Sequence, residues 1–148
     1  MLRPFEKSDL IAMLGIEAAA QVVPWTEETF KMCFQQGYQG WVLENERHLI
    51  GFVIVSINNI ECHILNLCVS PEHQHQGWGA KLMEYAVIFA KQQGAGIVYL
   101  EVRRTNSRAI SLYKKLDFHL VGERKGYYPV QFGQEDALIY AKSLVKEL

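Results

Sequence analysis

The stretch Ile64-Leu65-Asn66-Leu67-Cys68-Val69 leads through Ser70-Pro71-Glu72-His73 into Gln74-His75-Gln76-Gly77-Trp78-Gly79, after which Leu82, Met83, Ala86, Val87 and Ala90 recur at helical spacing. A strand, a glycine turn and a helix in that order can cradle an anion. Gly77 and Gly79 let the main chain approach a phosphate without interference from a Cβ, and the first helical turn offers N–H groups that have no partner within the helix. Glycine pairs also occur in ordinary strand-to-helix turns, so the rest of the chain has to decide between the two readings.

Upstream, Leu2 to Phe5 reads as a short extended segment. Ser8 and Asp9 precede a helical pattern with Leu10, Met13, Leu14 and Ala18 on one face. In Pro24-Trp25-Thr26-Glu27-Glu28, Thr26 is placed to cap a second helix that runs to about Gln36. From Gly40 the period changes: Trp41-Val42-Leu43 and Leu49 to Ile57 predict a hairpin about the polar turn Glu44 to His48, and Asn58-Asn59 turns the chain into a further strand, Ile60 to Val69. Gly94 stops the helix that follows the glycine turn. Ile97 to Val102 is a nearly continuous apolar run, as expected of a strand buried on both faces. Asn106 is placed to cap a short helix carrying Ala109, Ile110, Tyr113 and Leu116, and Phe118 to Val121 and Ala137 to Ala141 supply two closing strands. Strands, helix, strand, helix, strands predicts a layered α/β domain with a mixed sheet.

The 148 residues are enough for one domain with its own core, without metal or disulfide staples. Lys and Arg number 15 against 16 Asp and Glu, so no overall basic field favours nucleic acid or an anionic membrane, and any polyanion site has to be local. Cys33, Cys62 and Cys68 lack C-x-x-C spacing and fit buried thiols in a reducing compartment. No charged-then-apolar leader and no apolar run of bilayer length is present, which predicts a cytoplasmic protein.

Glu101, inside Val98-Tyr99-Leu100-Glu101-Val102, is an unusual place for a charge. It reads either as a solvated partner of Arg103 or Arg104, or as a general base whose burial suits it to accept a proton near neutral pH. Tyr113 is a core tyrosine on its spacing, or a phenol able to protonate a leaving group such as a thiolate. Asn106 is a helix cap that can also hold a ligand. Loops of the form G-x-x-x-x-G-K-[ST], G-x-S-x-G elbows and H-E-x-x-H helices are absent, which removes support for nucleotide hydrolysis, serine acyl transfer and zinc proteolysis. His48, His63, His73, His75 and His119 are scattered without metal-ligand spacing, so no metal is expected. An apolar strand raises the pKa of Cys68 and makes it a poor nucleophile.

With the strand, the Gln-x-x-Gly-x-Gly turn, the helix, Glu101 and Tyr113 in this order, the chain resembles the Gcn5-related N-acetyltransferase (GNAT) superfamily. The resemblance sharpens at Pro24-Trp25-Thr26-Glu27, Leu100-Glu101-Val102-Arg103, Asn106 to Tyr113, Tyr127-Tyr128-Pro129 and Glu135-Asp136-Ala137, which are similar to the bacterial RimI-type ribosomal-protein-alanine N-acetyltransferases. It implies a GNAT fold of about seven strands and four helices, with acetyl-CoA as co-substrate. It implies that main-chain groups of Leu67, Cys68 and Val69 pair with the pantetheine arm, that His75, Gln76, Gly77, Trp78, Gly79 and Ala80 wrap the pyrophosphate, and that Asn106 contacts the donor. Glu101 matches the family's base and Tyr113 its acid. The acceptor, by resemblance a small-subunit ribosomal protein beginning with alanine, would lie between Val22 to Thr26 and a loop Lys125 to Gln134, walled by Trp25, Tyr127 and Tyr128.

The chain departs from the family pattern at two positions. Ala80 stands where arginine is common, with Lys81 or Arg108 as substitutes for its charge, and Asp117 replaces a glycine. Other readings are an acetyltransferase for different protein N-termini or a small amine, and a non-catalytic acyl-CoA-binding module.

Overall fold

The computed structural model describes residues 1–129 and 134–145, and for Tyr128, Pro129 and Gln134 the main chain alone. Its described strands are β1 (Leu2–Pro4), β2 (Gln39–Asn45), β3 (His48–Asn58), β4 (Glu61–Val69), β5 (Ile97–Arg103), β6 (His119–Pro129) and β7 (Gln134–Ser143), which form one sheet in the order β1-β2-β3-β4-β5-β7-β6. The described helices are α1 (Leu10–Ala20), α2 (Glu27–Gln35), α3 (Trp78–Gln92) and α4 (Ser107–Lys115). The fold is the mixed α/β architecture that the sequence predicts. Met1–Ser56 with Leu65–Ile88 pack as one compact unit, and Ile57–Ile64 with the chain from Phe89 onward as another; β4 and α3 lend residues to both. Among the described residues no helix is long and apolar enough to cross a membrane.

In the first unit, α1 and α2 cover the sheet with Met13, Ile16, Phe30 and Cys33 against Val42, Phe52, Ile54 and Cys68. Phe30 is fully buried and meets Trp25 and Phe52 edge-on at centroid distances of 5.2 and 5.7 Å, an anchor whose truncation to Ala costs about 3–5 kcal/mol. Thr26 caps α2 as expected, its hydroxyl accepting from Thr29 N at 3.3 Å. The buried face of α1 differs from expectation. Ala18 is exposed, and Ile16 and Glu17 take its place inside. Asp9 is tied to Arg3 by two hydrogen bonds of 2.8 and 2.9 Å, and that guanidinium holds its carboxyl below the usual range. The depressed value makes this contribution to stability complete above the ordinary carboxylate pKa of about 4, and it is lost as the pH falls through the lower native value.

Strands β2 and β3 pair antiparallel around Glu46 and Arg47, both at positive φ (50° and 68°), the backbone of a tight two-residue hairpin. The two-residue turn Asn59–Ile60 joins β3 to β4.

In the second unit, β5 runs parallel to β4 from Glu61↔Ile97 to Ile64↔Leu100 and antiparallel to β7 along its whole length. It is not buried on both faces as expected: Val98, Leu100 and Val102 are buried, whereas Ile97, Tyr99, Glu101 and Arg103 are half-buried. One face of this segment is partly wet, and that is what admits charged side chains to it. The closing strands extend well beyond Phe118 to Val121 and Ala137 to Ala141. The expected loop Lys125 to Gln134 is largely strand, since Lys125 to Pro129 lie in β6 and Gln134 begins β7; Val130 to Gly133 lie outside the described residues. An irregular register between Arg124 and Tyr128 accommodates Gly126, whose N–H donates to Asp136 Oδ1 at 2.9 Å.

Asp117 ends α4 with φ +67°, the left-handed conformation that glycine adopts without strain, while Phe118 N donates back to Tyr113 O at 3.0 Å. Asp117→Gly is therefore expected to stabilise the fold by about 0.5–1 kcal/mol, a rise in Tm of roughly 1–4 °C in a thermal melt.

Candidate active site

Apart from Asn106, the donor-binding residues of the predicted site lie within the first unit. Along β4, Cys62, Ile64, Asn66 and Cys68 are buried and Leu67 and Val69 half-buried on the other face. The last β5 partner of β4 is Ile64, so the β5-side edge of Leu65 to Val69 lies beyond the end of that ladder. Gln74 ties the following turn to the strand, its Nε2 donating to Val69 O at 3.0 Å. His75 and Gly77 both take positive φ (65° and 87°), and a Cβ built on Gly77 would meet no heavy atom within 4 Å. The turn thus presents main chain to open space at the head of α3. Lys81 N bonds Gly77 O at 3.2 Å, so the N–H groups of Trp78, Gly79 and Ala80 form the first turn, which has no acceptor within the helix itself. Gln76 Oε1 accepts from the Trp78 indole at 3.2 Å, and the Lys81 ammonium stands 5.4 Å above the Trp78 ring, a cation one residue after Ala80.

Gly51 on β3 has no role in the sequence reading, yet a Cβ there would fall 2.9 Å from the Cys68 carbonyl and 3.1 Å from Leu82 Cδ1. Glycine is what allows β3 to approach the end of β4 so closely. Gly51→Ala displaces the end of β4, which the family resemblance assigns to the donor, so on that assignment KM for acetyl-CoA is expected to rise several-fold in steady-state assays. Burial, reinforced by the negative charge of Glu17, pushes the Cys68 thiol up to about 12, the direction expected of a thiol in an apolar strand.

A further residue of this unit that sequence reasoning passed over is Glu17. Its carboxylate is 1% exposed and accepts from Trp25 N at 2.8 Å and from Asn66 Nδ2 at 3.0 Å. Trp25 is half-buried beside it. The signal was present in the sequence, since Glu17 follows Met13 by four residues and so shares its face.

The second unit holds Glu101, Asn106, Tyr113, Tyr127 and Tyr128. The Glu101 side chain is 29% exposed and pairs with Arg124, a partner that the sequence reading did not name. Arg124 reaches it from β6 across β7, Nε to Oε1 3.1 Å, and the same guanidinium lies 5.2 Å over the Tyr127 ring. Arg103 pairs with Glu135, and Arg104 with Glu123 and Asp136. Glu135 also accepts from Thr105 N at 2.8 Å and from the Thr105 hydroxyl; those hydrogen bonds first, and Arg103 after them, hold its carboxyl below the usual range. The start of β7 thereby fixes the turn that leads into α4. Asn106 caps that helix through Oδ1, accepting from Ala109 N at 3.2 Å. Tyr113 is 8% exposed, its ring 6.1 Å from Phe118. Tyr127 is 49% exposed on β6; the Tyr128 main chain pairs with Glu135, and its side chain lies outside the described residues. The structure therefore joins Glu101 to Tyr127 through Arg124, and Trp25 to β4 through Glu17. No group of His, Cys, Asp and Glu with metal-site geometry occurs among the described residues.

Residues 10–118 match the acetyltransferase (GNAT) family. The chain is 35% identical over 136 residues, 92% of each protein, to the [ribosomal protein bS18]-alanine N-acetyltransferase of Escherichia coli (strain K12). The crystal structure of the ribosomal-protein-S18-alanine N-acetyltransferase from Escherichia coli superposes with a TM-score of 0.92 at 33% identity, covering 99% of this chain and 95% of that one. Arabidopsis thaliana NAA60, crystallised in complex with acetyl-CoA, shares the fold with a TM-score of 0.86 at 22% identity over 97% of this chain and 98% of that one. With its fold, its glycine turn and its sequence in agreement, the chain belongs to the acetyltransferase (GNAT) family and is an acyltransferase.

Proposed function

We propose that the chain transfers the acetyl group of acetyl-CoA directly to the α-amine of an N-terminal alanine, with a small-subunit ribosomal protein as acceptor. The observation that carries this reading is the end of β4, which passes the last β5 partner and continues into a turn whose Gly77 opens onto free space. Main-chain groups of Leu67, Cys68 and Val69 bind the amide-bearing pantetheine arm as an added strand would be bound, and polarise the acetyl carbonyl. His75, Gln76, Gly77, Trp78, Gly79 and Ala80 receive the pyrophosphate on main-chain N–H groups, with Lys81 supplying charge in place of the arginine absent at Ala80. Asn106 turns its amide N–H groups to the donor while its oxygen serves the cap.

The α-amine has a pKa of about 8 and is partly protonated at neutral pH, so a carboxylate acting through water is a sufficient base; a lysine amine at about 10.4 asks more of it. Glu101 takes the proton from the amine as the C–N bond forms. The C–S bond breaks, and Tyr113 gives its phenolic proton to the departing thiolate. Trp25 of the first unit and Tyr127 of the second are assigned to acceptor binding by the likeness to the family; the Tyr128 side chain, assigned with them, lies outside the described residues. Likeness to the Escherichia coli enzyme over nearly the whole chain supports alanine as the acceptor. The three described cysteines, all buried and free, support a reducing cytoplasm as the setting.

The test is a competition in one tube between an alanine-starting peptide and spermidine, with limiting acetyl-CoA. Acetyl is expected at the peptide α-amine. Preferential acetylation of spermidine would shift the assignment to small amines, and binding of acetyl-CoA without transfer to any amine would leave only an acyl-CoA-binding module.

A further inference from the structure

Glu17 is a charged side chain sealed inside the first unit, and nothing in the transfer chemistry uses it. Removing a carboxylate from water is costly unless hydrogen bonds replace the lost hydration. Here Trp25 N donates to Oε2 at 2.8 Å and Asn66 Nδ2 to Oε1 at 3.0 Å, with the Cys68 thiol against the same carboxylate. These donors come from different places. Trp25 closes the connection between α1 and α2, next to Thr26, which caps α2, and its ring packs on Phe30 at 5.2 Å. Asn66 lies on β4, one residue before Leu67. Between α1 and Trp25 the connection is open to solvent at Val22 and Val23, which are 79% and 44% exposed.

We infer that Glu17 is a positioning residue that clamps the Trp25 end of the α1–α2 connection onto β4, and so sets the acceptor-binding wall relative to the strand that holds the donor. This inference rests on the proposed function for the identity of the acceptor. A carboxylate suits the task because it offers acceptors only, and both groups that it holds are donors. Glutamine can keep the clamp if Asn66 turns its amide to present oxygen to the new NH2 group. Methionine matches the length of glutamate but offers no comparable acceptor, leaving the Trp25 N–H unsatisfied.

The experiment compares Glu17→Gln and Glu17→Met in protein labelled with 5-fluorotryptophan, with the Trp25 resonance assigned by Trp25→Phe. Steady-state kinetics are measured on the same samples with an alanine-starting peptide. In Glu17→Met the Trp25 19F line is expected to shift and broaden and the peptide KM to rise about tenfold, with kcat and KM for acetyl-CoA within about twofold of the parent. Glu17→Gln is expected to restore both. Should Glu17→Met fail to fold, Asn66→Ala removes one leg of the clamp and is expected to move the same two readouts by a smaller factor. An unchanged Trp25 line in the variants would overturn the clamp, and a changed line with an unchanged peptide KM would overturn its role in acceptor binding. If the parent acetylates spermidine and no peptide, the proposed acceptor fails instead, and the Trp25 line by itself still decides whether the clamp exists.

Discussion

Glu101→Gln is expected to lower kcat by about 10²–10³-fold while leaving the affinity for acetyl-CoA within about twofold, because general base catalysis is worth roughly 10²–10⁴ and the donor is bound by main chain elsewhere. Glutamine preserves the size of the side chain and can still accept a hydrogen bond from Arg124, but it cannot take up the amine's proton. The substitution therefore separates chemistry from architecture. The carboxylate lies on the half-buried face of β5, held 3.1 Å from a guanidinium that is itself 55% exposed. An ion pair that open contributes at most about 1 kcal/mol to stability, so the Glu101→Gln protein should melt near the parent temperature. Tyr113→Phe is expected to reduce kcat in the same assay by removing the phenolic proton, again with acetyl-CoA affinity retained. Single-turnover measurements that showed the parent rate in both variants would refute the assigned base and acid.

The second large effect concerns the donor. Gly77→Asp is expected to weaken acetyl-CoA binding by about tenfold to a hundredfold in calorimetry, equivalent to roughly 1.4–2.8 kcal/mol. Three causes act together. At φ +87° any side chain strains the main chain by about 1–3 kcal/mol. The new Cβ would project into the open space in front of the turn, where no protein atom lies within 4 Å. A carboxylate there would also repel the diphosphate that the head of α3 otherwise attracts. A thermal melt separates a local effect from unfolding, and unchanged affinity in a folded variant would contradict the role given to this turn.

The fold was legible wherever pattern and period coincide. The strand into Gln74-His75-Gln76-Gly77-Trp78-Gly79, the capped α2 and the capped α4 all form as their residues suggest. Legibility fails where distant partners decide. Glu17 is lettered as a surface residue among alanines, yet its donors come from the next connection and from β4. Arg124 stands 23 residues beyond Glu101, and it is the β5-β7-β6 order that brings the two together, so the sequence spacing gave no sign of this pair. The resemblance placed a loop at Lys125 to Gln134, where Gly126 and Pro129 stand in an extended β6. The irregular register absorbs the glycine, and the proline falls on the last residue of β6. The tight turn at Glu46 and Arg47 lacks the asparagine or glycine that normally announces such a backbone; the β-branched and aromatic runs on either side of a polar stretch revealed the hairpin.

The most direct test of the assignment is intact-mass and N-terminal peptide mass spectrometry of ribosomal proteins from cells with and without this chain. The account predicts that one small-subunit protein beginning with alanine loses a single acetyl group from its α-amine when the chain is absent, and regains it when the parent but not Glu101→Gln is supplied. Identical acetylation of every ribosomal protein in the two cell lines would contradict it.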